Sequence, residues 1–346
     1  MPKILCIRLS AMGDLIVTTP IYRVLHEQLG AEVHLVAKPV FAPVVAHNPH
    51  VARLIAYREG VGAELAREGY DLVVDLHGSI RSHLLRARLG VPTVGFRKRN
   101  LEKSLLPRGI DLLGGEHLLH RYFFALRYLG VRDDGRGLDY YVQPAEAAAA
   151  AGHTAPTGGD YVAVVLGATH YTKRMPPALV AEAIGRLDRP VVLLGGADVT
   201  ALAAEVIARL PPGAPVLDLC DRLPLRESIA VLAEAAGVVA GDTGLMHVTA
   251  ALRRPMVVVW GNTAPAIGMY PWYPAADRAR WASAEVLGLD CRPCSRIGFA
   301  ACPRGHFRCM REQRAAAIAE PLLGLMAMAP SADWSDARPT GPSDRP

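Results

Sequence analysis

The sequence predicts an α/β fold of two doubly wound, parallel-sheet domains, and three observations carry that expectation. Short apolar runs alternate with helix-length segments from residue 3 to residue 260, the signature of successive βαβ units. The apolar runs are nearly continuous rather than strictly alternating, as strands buried on both faces must be. The pattern occurs twice, and the two occurrences are separated at 144–159 by a stretch rich in Ala, Gly, Pro and Thr, which reads as an interdomain linker. At 346 residues the chain also exceeds one ordinary core.

Residues 3–9 read as a buried strand, followed by the polar turn Ser10-Ala11-Met12-Gly13-Asp14 and a helix over 15–29 that Gly30 ends. Pro20 lies inside that helix and marks an irregular first turn or a later start. A second strand is expected at 33–37. Helix-like and strand-like segments then alternate at 51–57, 61–68, 72–76, 81–89 and 93–95. Residues 118–129 form an amphipathic helix, 132–137 a polar patch and 140–142 a short strand-like run. In the second half, strands are expected at 161–166, 191–194, 216–219, 235–240 and 256–260. Helices are expected between them at 177–187, 201–210, 225–236 and 245–252. The tail 330–346 is polar and Pro-rich, a composition of disorder.

Composition excludes several classes. With 51% apolar and 21% charged residues the chain is globular. A net charge of +5, spread along the chain, does not point to nucleic acid. The N-terminus opens on a strand-like run rather than a signal peptide, and no uncharged apolar stretch reaches the length of a membrane span. The expected location is therefore cytoplasmic, or peripheral at a membrane. The six cysteines are then expected as reduced thiols or metal ligands.

Five constellations could carry chemistry. In the Gly241-Asp242-Thr243-Gly244-Leu245-Met246-His247 turn, a buried strand runs into a helix start. Helix-start N–H groups and the positive end of the helix dipole suit a phosphate or carboxylate; the competing reading is that Asp242 or Thr243 simply caps the helix. Asp14, after the first strand, has the character of a general base for a hydroxyl, or of another cap. The loop Gly167-Ala168-Thr169-His170-Tyr171-Thr172-Lys173-Arg174 places two adjacent cations beyond a strand end, where they could neutralise a departing diphosphate. Cys291, Cys294, Cys302 and Cys309, spaced C-x2-C-x7-C-x6-C with His306 nearby, could form a tetrahedral structural zinc site, or pack as free thiols. Cys6 and Cys220 lie in apolar strands and read as core. A basic run, Arg86, Arg88, Arg97, Lys98, Arg99, Lys103 and Arg108, could meet an acidic acceptor or anionic lipid; a solvated face is the alternative.

Taken in order, several pieces resemble glycosyltransferase family nine, the heptosyltransferase-like enzymes of lipopolysaccharide core assembly. They are Arg8-Leu9-Ser10-Ala11-Met12-Gly13-Asp14 with Pro20; Gly167 with Lys173 and Pro176; Gly195-Gly196; Gly241-Asp242-Thr243-Gly244-Leu245 with His247; and Gly261 with Thr263 and Pro265. The Cys291-Arg292-Pro293-Cys294 to Cys309-Met310 segment resembles a tail seen in part of the family, and the resemblance spans residues 3–325. It implies a GT-B fold, two facing Rossmann-like domains with parallel sheets: an acceptor domain over 1–150 and a nucleotide-sugar domain over 160–329. It further implies an inverting, metal-independent transfer. Asp14 would be the base and Lys173 would hold the diphosphate. The N–H groups of Thr243, Gly244 and Leu245 would bind phosphate, and Asp242 would meet the donor sugar. Gly13, Thr169 and His247 would complete the binding surfaces, although His247 could equally be a packed core residue. No cofactor is expected beyond a nucleoside-diphosphate sugar, ADP-heptose by resemblance. The implied acceptor is a lipid-linked glycan, which implies peripheral contact with the cytoplasmic face of the inner membrane.

The sequence departs from the family pattern at several points. Val17 stands where a His often follows the Gly-Asp pair, Met246 replaces a small polar residue, the Gly261-Asn262-Thr263-Ala264-Pro265 turn lacks an acidic residue, and the Lys173 loop lacks a Trp. These bear on the donor sugar rather than on the fold. A non-catalytic nucleotide-sugar-binding protein of the same fold is the alternative from another class. A Rossmann dehydrogenase is disfavoured, since no GxGxxG follows an expected strand.

Overall fold

The computed structural model describes residues 1–328, so the tail 330–346 lies outside the described residues. Two wholly parallel sheets form, from the apolar runs read above together with one strand not expected from the sequence, Trp281–Glu285. The first joins β1 (Lys3–Ile7), β2 (Glu32–Ala37), β3 (Arg53–Ala56), β4 (Leu72–Asp75) and β5 (Thr93–Gly95) in the order β3-β2-β1-β4-β5. The second joins β6 (Val162–Val165), β7 (Val191–Leu194), β8 (Val216–Asp218), β9 (Gly237–Gly241), β10 (Met256–Trp260) and β11 (Trp281–Glu285) in the order β11-β10-β9-β6-β7-β8. Both orders are doubly wound, with the direction of winding reversing between β1 and β4 and between β6 and β9. Ligands in such sheets bind beyond the strand carboxyl ends at these reversals. Strands β1, β6, β7, β9 and β10 are buried almost throughout, which is why their sequences are apolar on both faces.

Contacts divide the chain into two units, Met1–Tyr140 with Ala266–Pro274, and Tyr141–Pro265 with the chain from Ala275 on. The division falls earlier than the expected boundary at 150, and residues 266–274 return to the first unit. Those residues are held there by the buried His117, whose Nε2 lies 3.0 Å from the Tyr270 carbonyl and whose ring stacks on Trp272 at 4.6 Å. Gly268, at φ +79°, lies so close to the Glu116 carbonyl that a Cβ would stand 2.2 Å from it.

The expected linker at 144–159 is instead the helix Pro144–Thr154 followed by a short turn, Ala155–Thr157. Pro144 sits at the helix start, the Glu146 carboxylate accepts the Gln143 N–H at 3.0 Å, and alanines follow. Pro is favoured in a first turn and Ala has the highest helix propensity, so the composition that resembled a linker is a helix. Its Ala150 is fully buried, and Glu146 and His153 pair with Arg226 and Glu227 on the helix Leu225–Glu234. The expected helix at 15–29 is two, Met12–Val17 and Thr19–Leu29. The break precedes Pro20, whose ring cannot follow a continuous turn. The polar patch 132–137 is structural: the buried Arg23 binds Asp134 at 2.7 Å, Asp139, and the Gly137 carbonyl at 2.9 Å. No strand forms at 140–142.

Candidate active site

In the second unit, the reversal between β6 and β9 gathers the predicted anion-binding residues. The turn Tyr171–Lys173, in the connection after β6, crosses the ends of two neighbouring strands. Its backbone can come this close because glycines end or follow those strands. A Cβ at Gly241, the last residue of β9, would stand 3.0 Å from the Lys173 carbonyl. A Cβ at Gly261, just after β10, would stand 2.6 Å from the Thr172 carbonyl. Held there, Lys173 Nζ reaches Asp242 Oδ2 at 2.8 Å, with both side chains 13% exposed. Two motifs that are far apart in sequence thus form one ion pair at a strand-end reversal.

The helix Gly244–Ala251 starts directly after Asp242. Thr243 occupies its N-cap position in an extended conformation but makes no side-chain cap bond, and its buried Oγ1 has no hydrogen-bond partner. The capping reading therefore fails for Thr243, and Asp242 is engaged with Lys173. The N–H groups of a first turn have no intrahelical acceptors, and here a partly exposed Thr243-Gly244-Leu245 edge presents them beside an ammonium. His247 is 3% exposed on this helix. Thr169 is exposed ahead of the Lys173 turn. After β10, Thr263 is fully buried with its hydroxyl unpartnered.

In the first unit, the reversal lies between β1 and β4. Gly13 is buried in the helix Met12–Val17, and Asp14 sits in that helix's first turn. Asp14 Oδ2 accepts the Ala11 N–H at 3.1 Å and pairs with Arg8 Nη2 at 2.6 Å. Arg8 is 6% exposed and is fixed from behind, donating through Nη1 to the Leu76 carbonyl and, at 2.9 Å, to the Tyr122 hydroxyl. Burial works against the Arg8 charge, yet the Asp14 carboxylate outweighs it and shifts the guanidinium upward. His77, just past the end of β4, is pushed down to about 4, first by burial and then by the Arg8 and Lys98 charges, so it is neutral near pH 7.

A second feature of this unit was not singled out in the sequence. Between β5 and the helix Leu118–Leu126 lies a recess of about 530 Å³, lined by Arg97, Arg99, Arg121 and Arg127, with Glu116 as its acidic residue. Arg121 is 6% exposed. Its Nη1 donates to the Lys98 carbonyl at 3.1 Å, while Nε and Nη2 have no hydrogen-bond partner. A buried guanidinium with open donors is costly unless an anion completes it. The sequence signal was an arginine between Leu118 and Tyr122 on the apolar face of an amphipathic helix. Of the basic run, Arg97 and Arg99 line the recess, whereas Arg86 lies 3.9 Å from the buried Asp75 carboxylate.

The arrangement of the described residues does not support the zinc alternative. Among the described residues, no group of three or more His, Cys, Asp or Glu side chains is arranged to hold a metal ion. Cys291 Sγ lies 3.8 Å from His306 Nε2. Cys309 packs in the apolar core beside Phe307 and Met310, and burial together with the neighbouring cysteines pushes its thiol up to about 11. Cys294 is raised for the same reasons. A buried, protonated thiol such as Cys309 behaves as a small apolar group. Cys6 and Cys220 are buried, as expected.

Comparison with known proteins adds the following. The sequence profile of glycosyltransferase family 9 (heptosyltransferase) matches residues 58–293. Lipopolysaccharide heptosyltransferase 1 of Pseudomonas aeruginosa is 29% identical over 325 residues, covering 84% of this chain and 86% of that protein. The crystal structure of a family 9 glycosyl transferase from Veillonella parvula superposes with a TM-score of 0.74 at 19% identity, covering 94% of this chain and 97% of that one. The Escherichia coli heptosyltransferase WaaC, solved with ADP, gives a TM-score of 0.61 at 25% identity, covering 81% and 92% of the two chains.

Proposed function

Because this chain belongs to glycosyltransferase family 9 and is a glycosyltransferase with the GT-B fold, we propose that it transfers heptose from ADP-heptose to a lipopolysaccharide-core acceptor, with inversion and without a metal. The observation that carries this reading is the Lys173–Asp242 pair beside the Thr243-Gly244-Leu245 helix start. Two phosphates and a leaving charge suit an ammonium flanked by unpaired N–H donors. A relative solved with ADP supports a nucleoside diphosphate as the ligand.

The transfer is a single displacement. The acceptor oxygen forms its bond to the anomeric carbon as the bond from that carbon to the phosphate oxygen breaks. The hydroxyl proton passes to Asp14, and the electron pair leaves with the diphosphate, where Lys173 and the helix N–H groups stabilise it. Asp242 keeps Lys173 aimed and Gly13 closes the turn behind Asp14, while Thr169 and His247 flank the donor. The test is release of ADP from ADP-heptose by the purified chain with a lipopolysaccharide-core acceptor, run with and without chelator. Binding without turnover would favour a non-catalytic role, activity lost on chelation would remove the metal-free mechanism, and a product with retained anomeric configuration would exclude inversion.

Arg121 and its neighbours fit an acidic group of the acceptor, a sugar carboxylate or a phosphate. Charge-assisted bonds to a buried guanidinium are strong, so Arg121→Gln is expected to raise acceptor KM about tenfold and leave donor KM unchanged. Steady-state kinetics with each substrate varied in turn decides this, and an unmoved acceptor KM removes the assignment.

A lipid-linked acceptor also requires contact with a membrane surface. No helix of the described residues is long and apolar enough to cross one. Peripheral contact through the recess rim is supported by exposed Phe124 and Tyr128 and by Arg127, whose guanidinium covers both rings at 3.9 Å. Co-sedimentation with anionic vesicles is expected at low salt and lost at high salt; equal binding to neutral vesicles would contradict it.

A further inference from the structure

The stretch following β11 carries thiols that the transfer does not use, yet its backbone converges on the turn that presents Lys173. Thr172, 1% exposed, is tied to Phe299 by three hydrogen bonds. The Thr172 N–H donates to the Phe299 carbonyl at 3.2 Å. The Thr172 hydroxyl donates to the same carbonyl at 3.2 Å and accepts the Phe299 N–H at 2.8 Å. The preceding Gly298, at φ +124°, lies against His170, where a Cβ would stand 2.5 Å from the His170 Cβ. Only glycine fits both that conformation and that approach. Ser295, 8% exposed, shapes the turn by accepting the Gly298 N–H at 2.9 Å and the Ile297 N–H at 3.1 Å.

The same stretch also holds the turn after β10. The Cys294 N–H donates to the Asn262 carbonyl at 3.0 Å. Arg292 donates through Nε to the Gly261 carbonyl at 2.9 Å, and its Nη2 is anchored 2.7 Å from Glu285. Gly261 is in turn the residue whose missing Cβ admits the Thr172 carbonyl. One short segment therefore grips both neighbours of the proposed phosphate site, the Lys173 turn and the Gly261-Asn262-Thr263 turn.

We infer that residues 292–299 are a brace that sets the donor site, with Thr172 the positioning residue through which they fix Lys173. This rests on reading the Lys173 turn as the diphosphate site. A threonine is suited to the role, since one hydroxyl both donates and accepts against a single backbone unit. Valine keeps its shape and loses both bonds, and leaves the Phe299 N–H without the acceptor it finds in the buried Thr172.

The test uses the full chain and ADP. Dissociation constants for ADP, donor and acceptor KM, kcat and the melting temperature are measured for wild type, Thr172→Val, Thr172→Ser, Gly298→Ala and the Thr172→Val/Gly298→Ala double variant. Thr172→Val and Gly298→Ala are each expected to weaken ADP about tenfold and lower kcat/KM for the donor at least as much, with acceptor KM unmoved. Thr172→Ser is expected to retain most of the affinity. The double variant should be no worse than the poorer single, because both release the same brace. An ADP affinity within twofold of wild type in Thr172→Val, alongside a lowered melting temperature, would show that the stretch only stabilises the fold. Wild-type protein that does not bind ADP would overturn the donor-site reading and the brace together, a result distinct from the first.

Discussion

Replacing Asp14 with asparagine is expected to lower kcat by about 10²–10⁴-fold, the range for loss of a positioned general base, while ADP affinity stays within twofold of wild type. The substitution nearly preserves shape. An asparagine oxygen can still accept the Ala11 N–H that Asp14 accepts at 3.1 Å, so the helix Met12–Val17 keeps its start. What is lost is the carboxylate charge and its capacity to take a proton. The Arg8 pairing matters here because it works in two directions. A guanidinium 2.6 Å away makes a carboxylate a weaker base. It also fixes the carboxylate, since Arg8 is buried and held by Leu76 and Tyr122. Asp14 remains 27% exposed at its side chain, enough for an acceptor hydroxyl to reach it. In a displacement whose bond to the leaving group breaks as the nucleophile arrives, proton transfer need not drive the reaction, so orientation outweighs intrinsic basicity. Asp14→Asn kinetics with ADP-heptose and an acceptor check this. Turnover within threefold of wild type would make Asp14 a structural partner of Arg8 and move the search for a base elsewhere, first to the neutral His77.

The central strands were legible because parallel strands buried on two faces have little choice of residue: the β6, β7 and β10 sequences could hardly be anything else. The edge strand β11, only partly buried and carrying Ser283 and Glu285, was missed. The helix Pro144–Thr154 was misread because Ala, Pro and Gly were weighed as composition. Read position by position, Pro144 at the start, Glu146 two residues on and an alanine run spell a helix. The return of residues 266–274 to the first unit depends on His117 meeting Tyr270 and Trp272, a long-range contact with no local signature. At the site, Lys173 and Asp242 were each visible as motif residues, but their pairing depends on the strand order β9-β6, which a linear reading does not supply. Arg121 and Thr172 were passed over for different reasons. Arg121 broke an apolar helix face, a signal that could have been used. Thr172 acts through the Phe299 backbone, and a backbone partner leaves no mark in side-chain patterns.

Lys173→Met is expected to weaken ADP binding by about 10–100-fold and to lower kcat by about 10²–10³-fold, the cost of removing one preorganised charge stabiliser. Methionine keeps the length and most of the volume of lysine, so the turn over Gly241 and Gly261 should persist. The change does two things that must be separated. It removes the cation that would face the diphosphate, and it leaves Asp242, 13% exposed, without its 2.8 Å partner. An unpaired carboxylate beside the donor phosphates would itself repel them. At about 4 Å and an effective dielectric near 20, each such charge pair amounts to about 4 kcal/mol, so either effect alone could account for the loss. The double variant Lys173→Met/Asp242→Asn resolves them by removing both charges. If repulsion from Asp242 dominates, the double variant recovers most of the ADP affinity. If Lys173 itself stabilises the departing diphosphate, affinity recovers in part but kcat stays as low as in the single variant. The second outcome is expected, because charge on the leaving group grows toward the transition state and a cation stabilises it there more than in the ground state. ADP titration and single-turnover rates on both variants make the distinction, and a double variant with near wild-type kcat would remove Lys173 from the reaction.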